Sequence, residues 1–481
     1  MKDGRPDYKP TLESLDKHPV PQWFKDAKLG IFIHWGIYSV PAFAPDYDPP
    51  YPPGPPYSWP RGTAYAEWYW YSMHDPDNDT YSYHRRKYGE NFNYDDFIPR
   101  WKAEKFDARS WVRLFEEAGA RYFVQVTKHH DGFALFPTRT TNRSAAFMGP
   151  QRNLAGELFG AAREHSKLKA GFYYSLAEWY NPAGVYSPFT GRSRPPYNPY
   201  TGERVPYTGY KPITDYVRDH EHPQLRVLID DYDPDILWAD GADPGKESYW
   251  RSNDIIAYYY NQAKDRHHPK EVIVNDRFGE GSHGDFSTPE YARESDIKQQ
   301  KWESTRGIGL SFGYNAQETE EDYLTPDELI DSFVDIVSKN GNLLLNIGPK
   351  ADGTVPEIMQ DRLRALGTWL RINGEAIYGS TYWRQAEDNG SNVPVRFTVN
   401  PGEKGGFYAT ALDWPGRELI LTAPVSISKG SRIQLLGARG KPLEWTRGSG
   451  KLIVQMPREG ELATESRHAY TFKIINPARK A

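Results

Sequence analysis

The chain has 481 residues and a formal net charge of −5, its 59 Lys and Arg interspersed with 64 Asp and Glu. That length allows one large barrel plus an accessory domain, and without a basic block neither nucleic acid nor a membrane is an expected partner. There is no cysteine, which excludes disulfides, thiolate catalysis, iron–sulfur clusters and Cys-zinc sites.

The opening MKDGRPDYKP carries no apolar signal core, and no run approaches 18 apolar residues. The expectation is a soluble, unanchored chain, cytoplasmic or exported with its signal removed. Through the first three quarters, short apolar runs alternate with amphipathic helices. The runs are Gly30–His34, Tyr122–Thr127, Ala170–Ser175, Ile236–Asp240, Val272–Asn275 and Asn342–Ile347, apolar on both faces as parallel strands beneath helices are. Asp107 is placed to cap a helix with Trp111, Leu114, Phe115 and Ala118 on its inner face, and Gly119 to end it. Thr325 and Glu328 make a capping box with Pro326 at the first helical position, ahead of Leu329, Ile330, Phe333 and Ile336; Asn340-Gly341 closes that helix. Thr354 with Glu357 is expected to repeat the device before Met359, Leu363, Leu366 and Leu370, with Asn373-Gly374 as terminator. This alternation predicts an α/β fold, a (β/α)8-like barrel over residues 1–380; a doubly wound sheet is disfavoured because no G-x-G-x-x-G follows the first strand. The barrel strands between Asp285 and Ser311 carry no readable pattern.

From Tyr382 the texture changes. Val393–Val399, Gly406–Ala411, Glu418–Leu421, Arg432–Leu436, Leu452–Gln455 and Tyr470–Ile474 are short alternating or β-branched runs between Gly, Pro and Asn turns, which predicts a C-terminal β-sandwich over residues 381–481. Two Pro- and Tyr-rich loops, 41–62 and 181–211, follow predicted strands. They are expected on the barrel's C-terminal face, shaping a substrate site or packing a homo-oligomer contact. The 15 Trp and 34 Tyr suit stacking against flat sugar faces.

Four strands end on polar residues: His34, the His129-His130 pair, Asp240 followed by Gly241, and Asn275-Asp276-Arg277. A shared pocket explains this better than four independent caps. With no thiol, no G-x-S-x-G and no phosphate loop, the reactive groups are carboxylates and imidazoles. Cleavage of a glycosidic bond needs two carboxyl groups about the anomeric carbon, and Asp240 suits the attacking role; the plain alternative is a strand-ending Asp that bonds local amides. Spacing does not choose the second acid among Glu67, Glu178, Glu290, Glu294 and Glu303. Two other readings stand beside this one. His34, His129 and His130 with Asp240 would serve a metal-dependent barrel hydrolase, although I-H-W-G is not H-x-H and no H-E-x-x-H occurs. A non-catalytic sugar-binding protein would keep the aromatics and lose the acid pair.

At these residues the chain resembles the α-L-fucosidases of glycoside hydrolase family twenty-nine. The matching blocks are WFKDAKLGIFIHWGIYSVPAF (23–43), AEWYWYSM (66–73), ARYFVQVTKHHDGFALF (120–136), AGFYYSLAEWYNP (170–182), PDILWADG (234–241), VIVNDRFG (272–279), KWESTRGIGLSFGYN (301–315) and LLLNIGPKADG (343–353). The resemblance implies a barrel followed by a β-sandwich, and retaining hydrolysis of terminal fucose from fucosylated oligosaccharides or glycoconjugates. It implies neither cofactor nor metal. Asp240 falls on the family nucleophile. His34, Glu67, His129, His130, Tyr173 and Arg277 fall on residues that bind fucose hydroxyls or flank it, and Trp238 shares the strand face of Asp240. Phe32, Tyr65 and Phe312 resemble the pocket for the sugar's C6 methyl. Glu290, in Thr288-Pro289-Glu290-Tyr291, takes the acid/base place, with Glu294 or Glu67 as alternatives.

Overall fold

A computed structural model describes residues 7–45, 65–187, 191–242, 245–292, 294–402, 405–438, 441–456 and 467–477. Most of the 41–62 loop lies outside these residues. Seven strands form one parallel sheet: β1 Leu29–Ile33, β2 Tyr122–Lys128, β3 Lys169–Ser175, β4 Ile236–Asp240, β5 Ile273–Val274, β6 Trp302–Gly307 and β7 Gly341–Ile347. Their order is β5-β4-β3-β2-β1-β7-β6. The last strands thus return beside the first, which curls the sheet into a (β/α)8-like barrel. Segment 285–290 lies between β5 and β6 and bridges to both, through Asn275 with Phe286, Ser287 with Trp302, and Glu290 with Thr305. It serves as an eighth strand too irregular to read from sequence, since Pro289 has no N–H for a ladder and Ser287 and Thr288 before it are polar.

The period-2 alternation of each strand sorts side chains between two cores. Phe32, Tyr122, Val124, Val126, Tyr173, Ile236, Trp238 and Leu344 pack together inside the barrel. Ile31, Ile33, Phe123, Phe172, Tyr174, Leu237 and Leu345 face the helices. Asp240 continues the Ile236–Trp238 row and therefore opens at the barrel's inner mouth. Burying each such aliphatic side chain contributes about 1.5–3 kcal/mol.

The helix ends follow their residues, with one correction. Asp107 accepts from the Arg109 and Ser110 amides and starts helix Ala108–Glu117; the Thr325–Glu328 box is formed at the start of Pro326–Ser338. The box expected at Thr354 does not form. Its hydroxyl donates to Asp352 instead, and the helix starts at Glu357 behind Pro356.

The C-terminal strands are β8 Thr381–Glu387, β9 Val395–Asn400, β10 Gly406–Ala411, β11 Glu418–Leu421, β12 Arg432–Leu435, β13 Trp445–Gly448, β14 Lys451–Gln455 and β15 Tyr470–Ile475. They form two antiparallel sheets, β8-β9-β10-β15-β12 and β11-β14-β13, closed over Val395, Phe397, Leu419, Leu421, Ile433, Leu452 and Phe472. Among the described residues, no helix is long and apolar enough to cross a membrane.

Candidate active site

Asp240 ends β4. Gly241 follows at φ +73, and a Cβ there would stand 3.0 Å from both His130 and the Ser175 hydroxyl, so only glycine lets the chain turn away this closely. The Asp240 carboxylate accepts from Tyr173 Oη at 2.9 Å and from Arg277 Nη1 at 3.2 Å. The same Arg277 nitrogen donates to Glu290 Oε1 at 2.6 Å. The two carboxylate oxygens are therefore separated by no more than the sum of those contacts. That bound lies near the ~5–5.5 Å between carboxyls of retaining glycosidases and below the ~6.5–9.5 Å of inverting ones. Their side chains remain 23% and 20% exposed, open to a ligand from the mouth.

Arg277 is itself fixed. Its Nε donates to Thr288 Oγ1 at 2.9 Å and its Nη2 to the Thr288 carbonyl at 2.5 Å, while the guanidinium lies 4.8 Å over the Trp238 ring. Burial pushes the Asp240 carboxyl up, but Arg277, His130, Tyr173 and the Gly241 amide outweigh it and hold the carboxyl below its ordinary range. Burial also pulls His130 down to about 4. It is uncharged at neutral pH, so Arg277 and Tyr173 are the standing causes of that depression.

The imidazoles line the same wall. β2 ends at Lys128, and the chain bends past it, so His129 and His130 do not splay to opposite faces; their rings are 4.2 Å apart. His129 stacks on Tyr173 at 5.5 Å and lies 5.6 Å from His34. His34 bonds Asn346 through Nδ1 at 2.7 Å, and burial lowers it to about 3. His130 bonds the Ser175 hydroxyl through Nδ1 at 2.6 Å, with Nε2 3.8 Å from Asp240 Oδ2. Phe312 makes an apolar corner with Tyr65 and Phe32, at ring distances of 5.2 and 6.4 Å. Tyr65 Oη also reaches Glu290 at 3.5 Å. Glu67 is buried and accepts from the Gly313 amide at 2.7 Å; burial raises it to about 8.

The remaining acids stand elsewhere. Glu178 is buried against Lys128 and His220, at 2.8 and 2.9 Å, and receives Asn181 and Tyr207 as well. Glu303 lies inside the barrel, accepting from Tyr122 and Trp238. Glu294 pairs with Lys298 at 2.9 Å. Asn346, Ser175 and Thr288, absent from the sequence-based set, orient the groups above. The first two sit near the ends of β7 and β3, where the strand-mouth pattern that singled out His34 and Asp240 also points. Loop 181–211 is tied down where described, with Asn198 donating to the Glu90 carbonyl and the Thr208 amide to Asp95. Among the described residues, no three His, Asp or Glu side chains converge as a metal-ligand set.

Comparison with known proteins covers nearly the whole chain. A family model described as α-L-fucosidase matches residues 2–375, and one for the α-L-fucosidase C-terminal domain matches residues 387–475. Plasma α-L-fucosidase of Rattus norvegicus is 35% identical over 98% of this chain and 94% of its own length. An α-L-fucosidase of Dictyostelium discoideum is 34% identical over 93% and 92%. Among solved structures, a Thermotoga maritima α-fucosidase in complex with a mechanism-based inhibitor superposes with TM-score 0.78 at 37% identity, covering 97% of this chain and 100% of that one.

Proposed function

Since the chain belongs to the α-L-fucosidase family, and is thus a fucose-releasing glycoside hydrolase, we propose that it works by retaining double displacement with Asp240 as nucleophile and Glu290 as acid/base. One observation carries this reading: both carboxylates are bonded by a single guanidinium nitrogen of Arg277. A separation bounded in this way favours direct attack over attack through an intervening water. Arg277 also offsets the repulsion between two acids at this distance.

In the first step an Asp240 oxygen bonds the anomeric carbon while the glycosidic C–O bond breaks, and the Glu290 proton goes to the departing oxygen. In the second, Glu290 takes a proton from water as the water oxygen bonds the anomeric carbon and the bond to Asp240 breaks, which releases fucose with its configuration retained. Glu67, His34, His129, His130, Tyr173, Trp238 and Arg277 surround the ring. Phe32, Tyr65 and Phe312 receive its C6 methyl, a preference worth about 1–3 kcal/mol. The substrates are fucosylated oligosaccharides or glycoconjugates; residues 1–380 form the catalytic unit and 381–481 the sandwich.

The test is chemical rescue on an aryl α-L-fucoside. Asp240→Gly is expected to lose nearly all turnover and regain it with azide, giving the inverted fucosyl azide. Azide with Glu290→Ala should give the retained product. Full activity of Asp240→Gly would remove the nucleophile assignment, and retained-azide rescue of Glu294→Ala alone would move the acid/base. Loss of wild-type turnover in EDTA would favour the metal hydrolase.

A further inference from the structure

Two side chains outside the proposed substrate shell determine what the imidazoles offer to a sugar. Asn346, fully buried near the end of β7, donates through Nδ2 to the Phe312 carbonyl at 2.7 Å. That bond orients the amide, so its Oδ1, 2.7 Å from His34 Nδ1, is an acceptor and the proton between them belongs to the histidine. Ser175, buried at the end of β3, spends its one hydroxyl proton on the Ala177 carbonyl at 2.6 Å. Its oxygen therefore accepts from His130 Nδ1, also at 2.6 Å. The same accounting holds at both rings.

We propose that Asn346 and Ser175 are positioning residues that lock His34 and His130 as Nδ1–H tautomers, each turning an unprotonated Nε2 toward the bound sugar as a hydrogen-bond acceptor. The inference rests on the sugar-binding reading above. Burial supports it by keeping both rings neutral, His34 down to about 3 and His130 to about 4. It has a geometric consequence at the nucleophile. His130 Nε2 and Asp240 Oδ2 stand 3.8 Å apart, both acceptors with no proton between them, and a donor hydroxyl beside them satisfies either. Tyr173 donates to that same Oδ2, and Arg277 donates to Oδ1. The phenol and the guanidinium thus supply donors to the carboxylate, while the two imidazoles supply acceptors to a sugar hydroxyl.

The probes are L-fucose and its 2-, 3- and 4-deoxy and corresponding deoxyfluoro analogues, used as competitive inhibitors of aryl fucoside hydrolysis. A C–F group accepts weakly and never donates. At each hydroxyl that meets an Nε2 acceptor, fluorine is expected to weaken inhibition as much as hydrogen, about tenfold. In Asn346→Leu and Ser175→Ala, inhibition by fucose should weaken about tenfold, and the penalty for removing the matching hydroxyl should shrink. Ser175→Thr, which keeps the hydroxyl, should restore it. Asn346→Asp places an anion against Nδ1 and should move the acid limb of kcat/KM upward. A purely structural role would lower thermal stability and leave the fucose-to-deoxyfucose ratio unchanged, which overturns the proposal. So does a wild-type protein that binds fluoro analogues like fucose at every position where deoxy analogues fail, because that marks Nε2–H donors. A wild-type protein that neither hydrolyses the fucoside nor binds fucose sinks the functional reading itself.

Discussion

Glu67 is a site side chain whose protonation state departs from the habit of a surface carboxylate. Burial raises it to about 8, although the Gly313 amide pulls the other way. At neutral pH it is a carboxylic acid with a proton to donate, which suits a sugar oxygen better than another carboxylate beside Asp240 and Glu290 would. The wild-type kcat/KM is expected to fall as pH rises through about 8, and Glu67→Gln, which keeps a donor, to lose that limb. An unchanged basic limb in the variant would refute the role. The sign for stability is independent: an acid raised from ~4.3 unfolded to about 8 folded destabilises the fold progressively as pH climbs between the two. Glu67→Gln should therefore gain in thermal midpoint relative to wild type over that window. The strand-mouth pattern made Asp240, His34 and Arg277 legible, because charged groups that end apolar runs are conspicuous. Asn346 and Ser175 sit at the same kind of position and escaped notice, since a neutral amide or hydroxyl there reads as an ordinary cap. The pattern also cannot separate Glu290 from Glu294; in space, Glu290 shares an Arg277 nitrogen with Asp240, whereas Glu294 pairs with Lys298.

At the scale of elements, six parallel strands were legible as apolar runs, and β6 was not. Its sequence, Trp302-Glu303-Ser304-Thr305-Arg306-Gly307, is polar on its face because Glu303 bonds Tyr122 and Trp238 inside the barrel. β8 was equally hidden, as Thr381–Glu387 mixes exposed and half-buried residues. Segment 285–290 is held from behind by a cluster no pattern predicts. Asp285 accepts from the Val274 amide and Tyr260 and pairs with His18 at 2.9 Å and His283 at 3.2 Å. His283 reaches Asp16 at 2.8 Å, so the N-terminal segment is stapled to β5. Burial pulls His283 down, but its bonds to Asp285 and Asp16 outweigh it and raise it above the ordinary value. A raised histidine contributes stability that is fully present below ~6.5 and lost as pH passes through the folded value. His283→Gln should lower the thermal midpoint at pH 6 and cost progressively less toward pH 9. An equal gap at both would show that the staple does not depend on that proton.

For the whole molecule, the question is whether barrel and sandwich unfold as one body. The contact between them is polar at its centre and specific. Asp335, buried on helix Pro326–Ser338, receives Lys339 at 2.9 Å from that helix's C-cap and Arg396 at 2.5 Å from β9. Trp369 donates to the Ala469 carbonyl, Thr398 to that of Ala376, and Lys473 pairs with Glu375. Leu412 and Ala469 belong to the barrel's own core cluster. A loose tether would not bury a carboxylate across the boundary, because taking away one partner leaves a charge that water cannot reach. Arg396→Met is accordingly expected to destabilise by about 1–3 kcal/mol and to move a single calorimetric transition down as a whole, with kcat/KM at 25 °C unchanged. Adding Asp335→Leu should deepen the loss, since Lys339, buried and paired with Asp335 at 2.9 Å, then loses its carboxylate as well. Two separate transitions in the wild-type protein, with only the smaller one moved by Arg396→Met, would show that the sandwich is an independent passenger on the barrel.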